Sequence, residues 1–155
     1  MDYFEGVVIE YLRADRSLFV NTQCCIQLNE GFNPDTSGPH WYCDAVAVSI
    51  KNKAAYLCEI TYASSPVSLF KRLEAWALHW PQLRAALARD SGIPQDWAVT
   101  PWVFVPQGNR AKVEAFVATL SHKHMQEVKV QALESVMPWL YRSWDRMATH
   151  SVVER

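Results

Sequence analysis

The sequence is poor in charge and has no long apolar run. Of its 155 residues a fifth are charged, and 15 basic against 16 acidic side chains give a formal net charge of −1. This balance argues against a protein that coats nucleic acid or anionic membrane by bulk electrostatics, so any role on nucleic acid has to be local. No apolar run approaches the roughly 18 residues that span a bilayer, and the start lacks the basic segment of an export signal. We therefore expect a cytoplasmic protein that does not bind membranes.

Several sequence motifs of catalysis and metal binding are also missing. There is no glycine-rich phosphate loop, no nucleophile elbow and no H-E-x-x-H motif. The four cysteines, Cys24, Cys25, Cys43 and Cys58, include no C-x-x-C pair of the kind that places two thiolates on one zinc ion. Packing of reduced thiols in the core is the favoured interpretation, and a zinc site that uses them is the alternative.

Apolar residues, by contrast, are abundant. They make up half of the chain, aromatic residues make up 12%, and there is no internal repeat or linker-like segment. This composition excludes a disordered chain and a coiled coil, and the length suffices for one sizeable core. We expect residues 1–155 to form a single domain.

The spacing of apolar residues predicts the element order αβββαβαβα, an α/β fold with a mixed β-sheet flanked by helices. Helical spacing opens and closes the chain, and the runs between Leu18 and Tyr62 are rich in strand formers. The predicted elements are a helix from Phe4 to Arg13, strands Leu18–Leu28, Trp41–Ile50 and Ala54–Tyr62, a helix capped by Ser65 that kinks or breaks at Pro81 and ends near Gly92, a strand Trp102–Val105 between Pro101 and Pro106, a helix capped by Asn109, a strand Glu127–Ala132 and a helix Leu133–Trp144.

Two acids lie inside the apolar hairpin that the second and third strands form. If Asn52 and Lys53 are a two-residue loop, Asp44 lies opposite Thr61 and is a diagonal neighbour of Glu59 on the same face. Their Cβ atoms would then be roughly 6 to 8 Å apart, close enough for both carboxylates to bind one divalent cation.

Acids in such surroundings need a compensating partner. An ionised carboxylate in an apolar sheet costs several kcal/mol unless it is paired or bound to a metal. The alternative to a metal site is that Asp44 begins its strand at a solvated edge and Glu59 meets an Arg or Lys. A third acid, Glu5, borders the apolar stripe of the first helix and points back toward the sheet, or it is an ordinary first-turn acid favoured by the helix dipole.

These residues resemble the PD-(D/E)XK nuclease superfamily, which has the restriction-endonuclease-like fold. The resemblance rests on the opening helix with Glu5, the strand with Asp44, and Glu-x-Thr at positions 59–61 before a helix. It covers about two thirds of the chain and implies an αβββαβ core, here with a C-terminal αβα extension. It also implies that Asp44 and Glu59 bind Mg²⁺ or Mn²⁺, with the carbonyl of Ile60 and the carboxylate of Glu5 as supplementary ligands.

One position departs from the motif of this family. Thr61 stands where the family has a lysine, and a hydroxyl cannot stabilise the charge on a transition-state phosphate as an ammonium can. Lys71, about a turn and a half into the next helix, is the candidate replacement, or else a solvated surface residue. Asp35 belongs to a proline-aspartate pair in the predicted loop 29–39 and is interpreted as a turn residue.

The resemblance implies a metal-dependent nuclease that hydrolyses DNA phosphodiesters with an activated water. The alternative function is a non-catalytic domain of the same fold that binds protein or nucleic acid, and Thr61 is the main sequence observation in its favour. A duplex cutter of this size would need two active sites to cleave both strands, so a homodimer or a protein partner is also expected.

Overall fold

The computed structural model describes residues 2–28, 40–120, 125 and 127–137. Its elements, in chain order, are α1 (Tyr3–Arg13), β1 (Leu18–Gln27), β2 (His40–Ser49), β3 (Ala54–Ile60), α2 (Val67–Leu78), α3 (Trp80–Ser91), β4 (Ala98–Val105), α4 (Gln107–Thr119), β5 (Lys129–Ala132) and a single 3₁₀ turn (Leu133–Val136). The predicted loop 29–39 and residues 138–155 lie outside the described residues.

The five strands form one mixed sheet in the order β1-β2-β3-β4-β5. Strands β1, β2 and β3 are antiparallel neighbours, whereas β4 runs parallel to β3 and β5 runs parallel to β4. The helical segment between β3 and β4 is the crossover that a parallel pair requires. The α/β class and the mixed sheet flanked by helices, both predicted from the sequence, are confirmed.

Each face of the sheet is covered by its own apolar cluster. The cluster on one face joins β3 and β4 to α2, α3 and Val113 of α4, and the cluster on the other face joins the same strands to α1 and the 3₁₀ turn. Residues 101–105 of β4 are consequently all buried, as the continuous apolar run in this segment predicts. None of the helices in the described part of the chain has the length and apolar character that a bilayer span requires.

Strand β4 is longer than the sequence predicts. It begins at Ala98, so Pro101 lies inside the strand and does not flank it. Proline has no N–H to donate to a neighbouring strand, so it is disfavoured in a strand that is paired on both sides. On the β5 side, however, pairing begins only at Trp102. Position 101 therefore has one neighbouring strand, Leu57 of β3 lying opposite it, and the proline is tolerated there.

The predicted register of the β2–β3 hairpin is wrong. Ser49 lies opposite Ala54, so the turn contains the four residues 50–53 and not only Asn52 and Lys53. The backbone of Asn52 donates to the Ser49 hydroxyl at 3.1 Å, and Lys53 adopts a left-handed conformation with φ +50°. A wider turn moves every pairing by two residues, which keeps each side chain on its predicted face.

The long helical segment after the hairpin breaks, as predicted, beside Pro81. Helix α2 ends at Leu78 and α3 begins at Trp80, with Pro81 in its first turn, where a missing N–H costs least. Gly92 ends α3 in the left-handed conformation, φ +74°. The predicted Ser65 cap is wrong, because the helix begins at Val67 and Pro66 precedes it without a side-chain cap.

Two further predictions about helix ends are wrong. Asn109 does not cap α4, which begins at Gln107; its side chain donates to the carbonyls of Ala63 and Ser64 and so connects α4 to the segment after β3. The last helix does not begin at Leu133 as predicted, because residues 133–136 form a 3₁₀ turn and Met137 is extended. Residue 138 is proline, which disfavours a helical conformation at the residue before it.

Leu57 tests the two-sided burial of the central strands. It is fully buried in β3, so Leu57→Ala should leave a cavity and lower the free energy of unfolding by about 3 kcal/mol, measured by urea denaturation. Ile50→Ala in the neighbouring turn is the control, because this side chain is 61% exposed and should change stability little. Equal effects of the two substitutions would contradict the assigned core.

Candidate functional site

The candidate site lies where β2 and β3 separate, and it contains both acids of the hairpin. The ladder between these strands ends at the pair Ala45–Cys58, and Asp44 and Glu59 are the next residues beyond that pair. The negative charge of Asp44 acts on Glu59, so the two acids lie near each other just beyond the end of the paired region.

Asp44 is half-buried and held by the backbone of the neighbouring strand. Its Oδ2 accepts a hydrogen bond of 2.7 Å from the N–H of Ile60. Burial raises the pKa of the Asp44 carboxyl, the Ile60 N–H counteracts part of that rise, and the negative charge of Glu5 adds to it. Glu5 is thus close enough for its charge to act on Asp44.

Glu59 is almost completely buried, with 5% of its surface exposed. Its Oε2 accepts a 2.5 Å hydrogen bond from Nη1 of Arg72, while its Oε1 has no hydrogen-bond partner among the described residues. Burial raises the pKa of Glu59 to about 8, and the charge of Asp44 adds to the rise against the opposing effect of Arg72. The pair with Arg72 is the alternative that the sequence analysis had left open for Glu59.

Arg72 belongs to the site, although the residues predicted from the sequence do not include it. It lies in α2 three residues after Leu69 and four before Trp76, two buried residues of the face that packs on the sheet. This spacing was visible in the sequence and would have placed Arg72 toward the strands. Lys71, the predicted cation, is exposed on α2 and makes no contact with an acid in the described part of the chain.

Glu5 caps its own helix. Its backbone N–H donates to Asp2 at 2.8 Å, and its carboxylate accepts from the Asp2 N–H at 3.3 Å, which completes a capping box. The ordinary first-turn interpretation of Glu5 therefore describes its contacts, although its charge reaches Asp44. Asp44 and Glu59 lie near each other, whereas Glu5 makes its hydrogen bonds to Asp2 and acts on Asp44 only through its charge.

Ile60 and Thr61 follow Glu59 and end the strand. Ile60 is buried, and its N–H is committed to Asp44. The Thr61 N–H donates to the Phe104 carbonyl at 3.0 Å, and its hydroxyl accepts from the N–H of Ala63 at 3.2 Å. Thr61 therefore fixes the chain leaving β3 and supplies no positive charge.

An open groove of about 520 Å³ lies beside these residues. Its lining comes from the start of α1 and the end of β3, with Asp2 as its acid. The ring of Phe4 stacks on Tyr62 with centroids 3.9 Å apart, and Tyr3 meets Phe4 edge-on. Tyr3 and Tyr62 are 73% and 58% exposed, so aromatic surface faces solvent next to Ile60.

The residues at the site provide oxygen ligands for a hard cation. Mg²⁺ is commonly bound through one or two carboxylates and completes its shell with water. The buried, unpartnered Oε1 of Glu59 and the neighbouring carboxylate of Asp44 fit this requirement. Within residues 2–28, 40–120, 125 and 127–137, no cluster of three or more His, Cys, Asp or Glu side chains can hold a metal.

Two of the cysteines lie in the core, and Cys24 is a partly buried free thiol at its edge. Cys43 and Cys58 are buried free thiols, and burial raises the pKa of both. The Cys43 thiol donates to the carbonyls of Ala45 and Cys58. These contacts agree with core packing, the favoured interpretation of the two cysteines. Asp35, the turn residue of the predicted loop, lies outside the described residues.

Comparison with known proteins adds no relative: no family model matches the chain, and no curated protein is similar to it. The interpretation of the site therefore depends on its own geometry and chemistry.

The raised pKa of Glu59 predicts how stability depends on pH. In the folded state the Glu59 carboxyl stays protonated up to about pH 8, whereas an ordinary glutamate carboxyl, as in the unfolded chain, has a pKa of 4.5. The contribution of the protonated Glu59 to the free energy of unfolding is therefore fully present below pH 4.5 and is lost as the pH rises through about 8. Urea denaturation between pH 5 and 9 should show falling stability in the wild type and a smaller fall in Glu59→Gln.

Glu114→Gln is the matched control for this measurement. Glu114 also pairs with an arginine, Arg110, at 2.8 Å, but about half of each side chain is exposed. Its removal should leave the pH dependence as in the wild type. A wild-type protein whose stability rises from pH 5 to pH 8 would contradict the raised pKa of Glu59.

Proposed function

We propose that the protein is a divalent-metal-dependent phosphodiesterase that hydrolyses DNA, with Asp44 and Glu59 as the metal ligands. The observation that carries this proposal is the pair of neighbouring carboxyls at the end of an apolar ladder, both with raised pKa, one of which has a buried oxygen without a partner in the described residues. Such a pair destabilises the fold unless a cation compensates it. Arg72 compensates only Oε2 of Glu59.

The backbone around the site holds the two proposed metal ligands, Asp44 and Glu59, in place. The N–H of Ile60 orients Asp44 through the 2.7 Å hydrogen bond, and strand β3 holds Glu59 in place. A bound Mg²⁺ or Mn²⁺ supplies Lewis-acid activation of the phosphodiester and of the attacking water. Water completes the ligand set together with the carbonyl of Ile60, a supplementary ligand carried over from the family resemblance, and Glu5 contributes charge only.

Arg72 takes the role of the missing lysine in this proposal. Its side chain is 38% exposed, whereas that of Glu59 is 6% exposed, so the arginine has room to turn toward a bound phosphate while the glutamate stays in place. A guanidinium stabilises phosphate charge in a bidentate manner, as Thr61 cannot. The pair of Arg72 with Glu59 is then the resting arrangement of the site.

The neighbouring groove supports a nucleic-acid substrate. Exposed aromatic rings provide flat faces for unpaired bases, and such stacking does not depend on the base. Tyr62 and Tyr3 provide these rings next to the strand end that contains Glu59. Single-stranded or frayed DNA is therefore the preferred form of substrate for the first assays.

A second candidate function is a non-catalytic binding domain. The observation that favours it is again the Glu59–Arg72 ion pair, because an acid neutralised by a fixed arginine needs no metal. Thr61 in place of the family's lysine points the same way. The two candidates differ in whether a cation displaces Arg72 from Glu59.

Asp44→Asn and Glu59→Gln test the metal site. Wild-type protein should bind Mn²⁺ by isothermal titration calorimetry and cleave DNA in its presence, more strongly at pH 8.5 than at pH 6.5 because a proton on Glu59 competes with the ion. Each substitution should abolish both properties. Glu114→Gln should retain them, and a wild-type protein that binds no Mn²⁺ and cuts no DNA would support the binding domain instead.

Arg72→Met separates the metal site from the phosphate contact. We expect the variant to bind Mn²⁺ and to lose cleavage by about 10² to 10³-fold, the usual effect of removing one electrostatic stabiliser of the transition state. Arg72→Lys should recover part of the activity. Undiminished cleavage by Arg72→Met would exclude Arg72 from catalysis, and Lys71→Met serves as the control on the exposed side of the same helix.

A further inference from the structure

A second groove lies between α4 and β5, away from the carboxylate site. This α4–β5 groove has a volume of about 630 Å³. Val117 and Ala118 line it on the helix side, and Val128 and Val130 line it on the strand side. It shares no lining residue with the groove beside Tyr62. It is therefore a surface that the proposed metal site does not use.

Apolar side chains of α4 are only partly covered at this groove. Val113 is buried, whereas Val117 and Leu120, which follow it at helical spacing on the same side, are half-buried. Met125, which also lines the groove, is half-buried as well. Each of these three half-buried side chains packs against the core with one side. A partner that covers the other side removes apolar surface from water, and this favours its binding.

Strand β5 provides an edge beside the groove. In the described part of the chain β4 is its only strand partner. A further extended segment can add to such an edge through main-chain hydrogen bonds, while its alternate side chains enter pockets beside the strand. Val128 and Val130 contact the same apolar cluster as Val113 of α4, so both face the helix. With four residues, β5 suits a short peptide better than the sheet of a second copy.

The charges on the lining select a basic peptide. Two charged side chains line the groove, and both are acids, Glu114 and Glu127. Glu114 pairs with Arg110 along the helix, with about half of each side chain exposed, and Glu127 is exposed without an ion pair among the described residues. Because α4 connects the parallel strands β4 and β5, it runs antiparallel to β5, and the two acids lie toward opposite ends of the groove. Basic residues on either side of an apolar stretch complement this arrangement.

We propose that the α4–β5 groove binds an extended peptide segment of a partner protein, with apolar side chains at alternate positions and a basic residue on either side of them. The peptide lies along β5 as a sixth strand, and its apolar side chains contact Val117, Ala118 and Val130. Its basic residues pair with Glu114 and Glu127. This interaction is independent of the metal-dependent activity, because the groove contains neither of the proposed metal ligands.

The probe is a capped heptapeptide with lysine at both ends, valine at the third and fifth positions and threonine at the others. One control peptide has glutamate in place of lysine, and a second has the same composition as the probe with its valines adjacent. Isothermal titration calorimetry on the full chain should show saturable binding of the probe and at least about tenfold weaker binding of each control. No saturable binding of the probe, or equal binding of the three peptides, would overturn the proposal.

Ala118→Trp and Ala115→Trp form a matched pair of variants. Both alanines are exposed on α4, but only Ala118 lines the groove. We expect Ala118→Trp to fill the groove and weaken binding of the probe by at least about tenfold, and Ala115→Trp to bind as the wild type does. Glu127→Lys should reverse the preference between the lysine and glutamate peptides. Equal effects of the two tryptophan substitutions would refute the assignment of the groove.

Residues of this chain outside the described ranges are the competing occupant. If they fill the groove, the wild type binds no probe, and Ala118→Trp lowers the free energy of unfolding in urea whereas Ala115→Trp does not. That result would overturn the proposal of a partner peptide. A groove that is open to a partner instead gives probe binding and equal stability of the two variants.

Discussion

The register of the β2–β3 hairpin determines whether Asp44 and Glu59 lie close enough to form the candidate site. Because the turn between these strands contains four residues, Asp44 and Glu59 both come to lie just beyond the last pair of the ladder, Ala45–Cys58. A shift by one residue would turn one of the two carboxylates to the other face of the sheet, toward α1. The left-handed Lys53 and the hydrogen bond from Asn52 to Ser49 hold the turn in the form that prevents such a shift.

Burial of these acids has a cost that their contacts only partly offset. The N–H of Ile60 and the guanidinium of Arg72 both lower the pKa of the carboxyls, yet each pKa remains raised because desolvation is the larger effect. The carboxyls of Asp44 and Glu59 would therefore be stabilised further by positive charge in addition to that of Arg72. Since Glu59 is buried in its strand and the Arg72 side chain is 38% exposed, the proposed replacement of Arg72 by a metal ion would require movement of the arginine alone.

The two ends of the sheet differ in chemical character. The groove at the carboxyl end of β3 combines Asp2 with exposed aromatic rings, whereas a cavity near the start of β4 combines the guanidinium of Arg84 with mainly apolar walls. The break between α2 and α3 contributes to this difference, because Trp80 and Pro81 begin the second helix beside the cavity. One crossover connection therefore provides Arg72 to one end and Arg84 to the other.

Local signals in the sequence were sufficient to predict α1, the break beside Pro81, the Gly92 cap and the buried strand through Trp102, and the order of these elements predicted the mixed sheet. The sequence also singled out Asp44 and Glu59, because acids are conspicuous in apolar runs. Helical spacing from Leu69 and Trp76 also places Arg72, and not Lys71, toward the strands. The turn length of the hairpin, the proline inside β4 and the helix ends at Val67 and Gln107 became clear only from the packed fold. These features depend on which strand or helix lies alongside a residue, and periodicity along one chain segment does not contain that information.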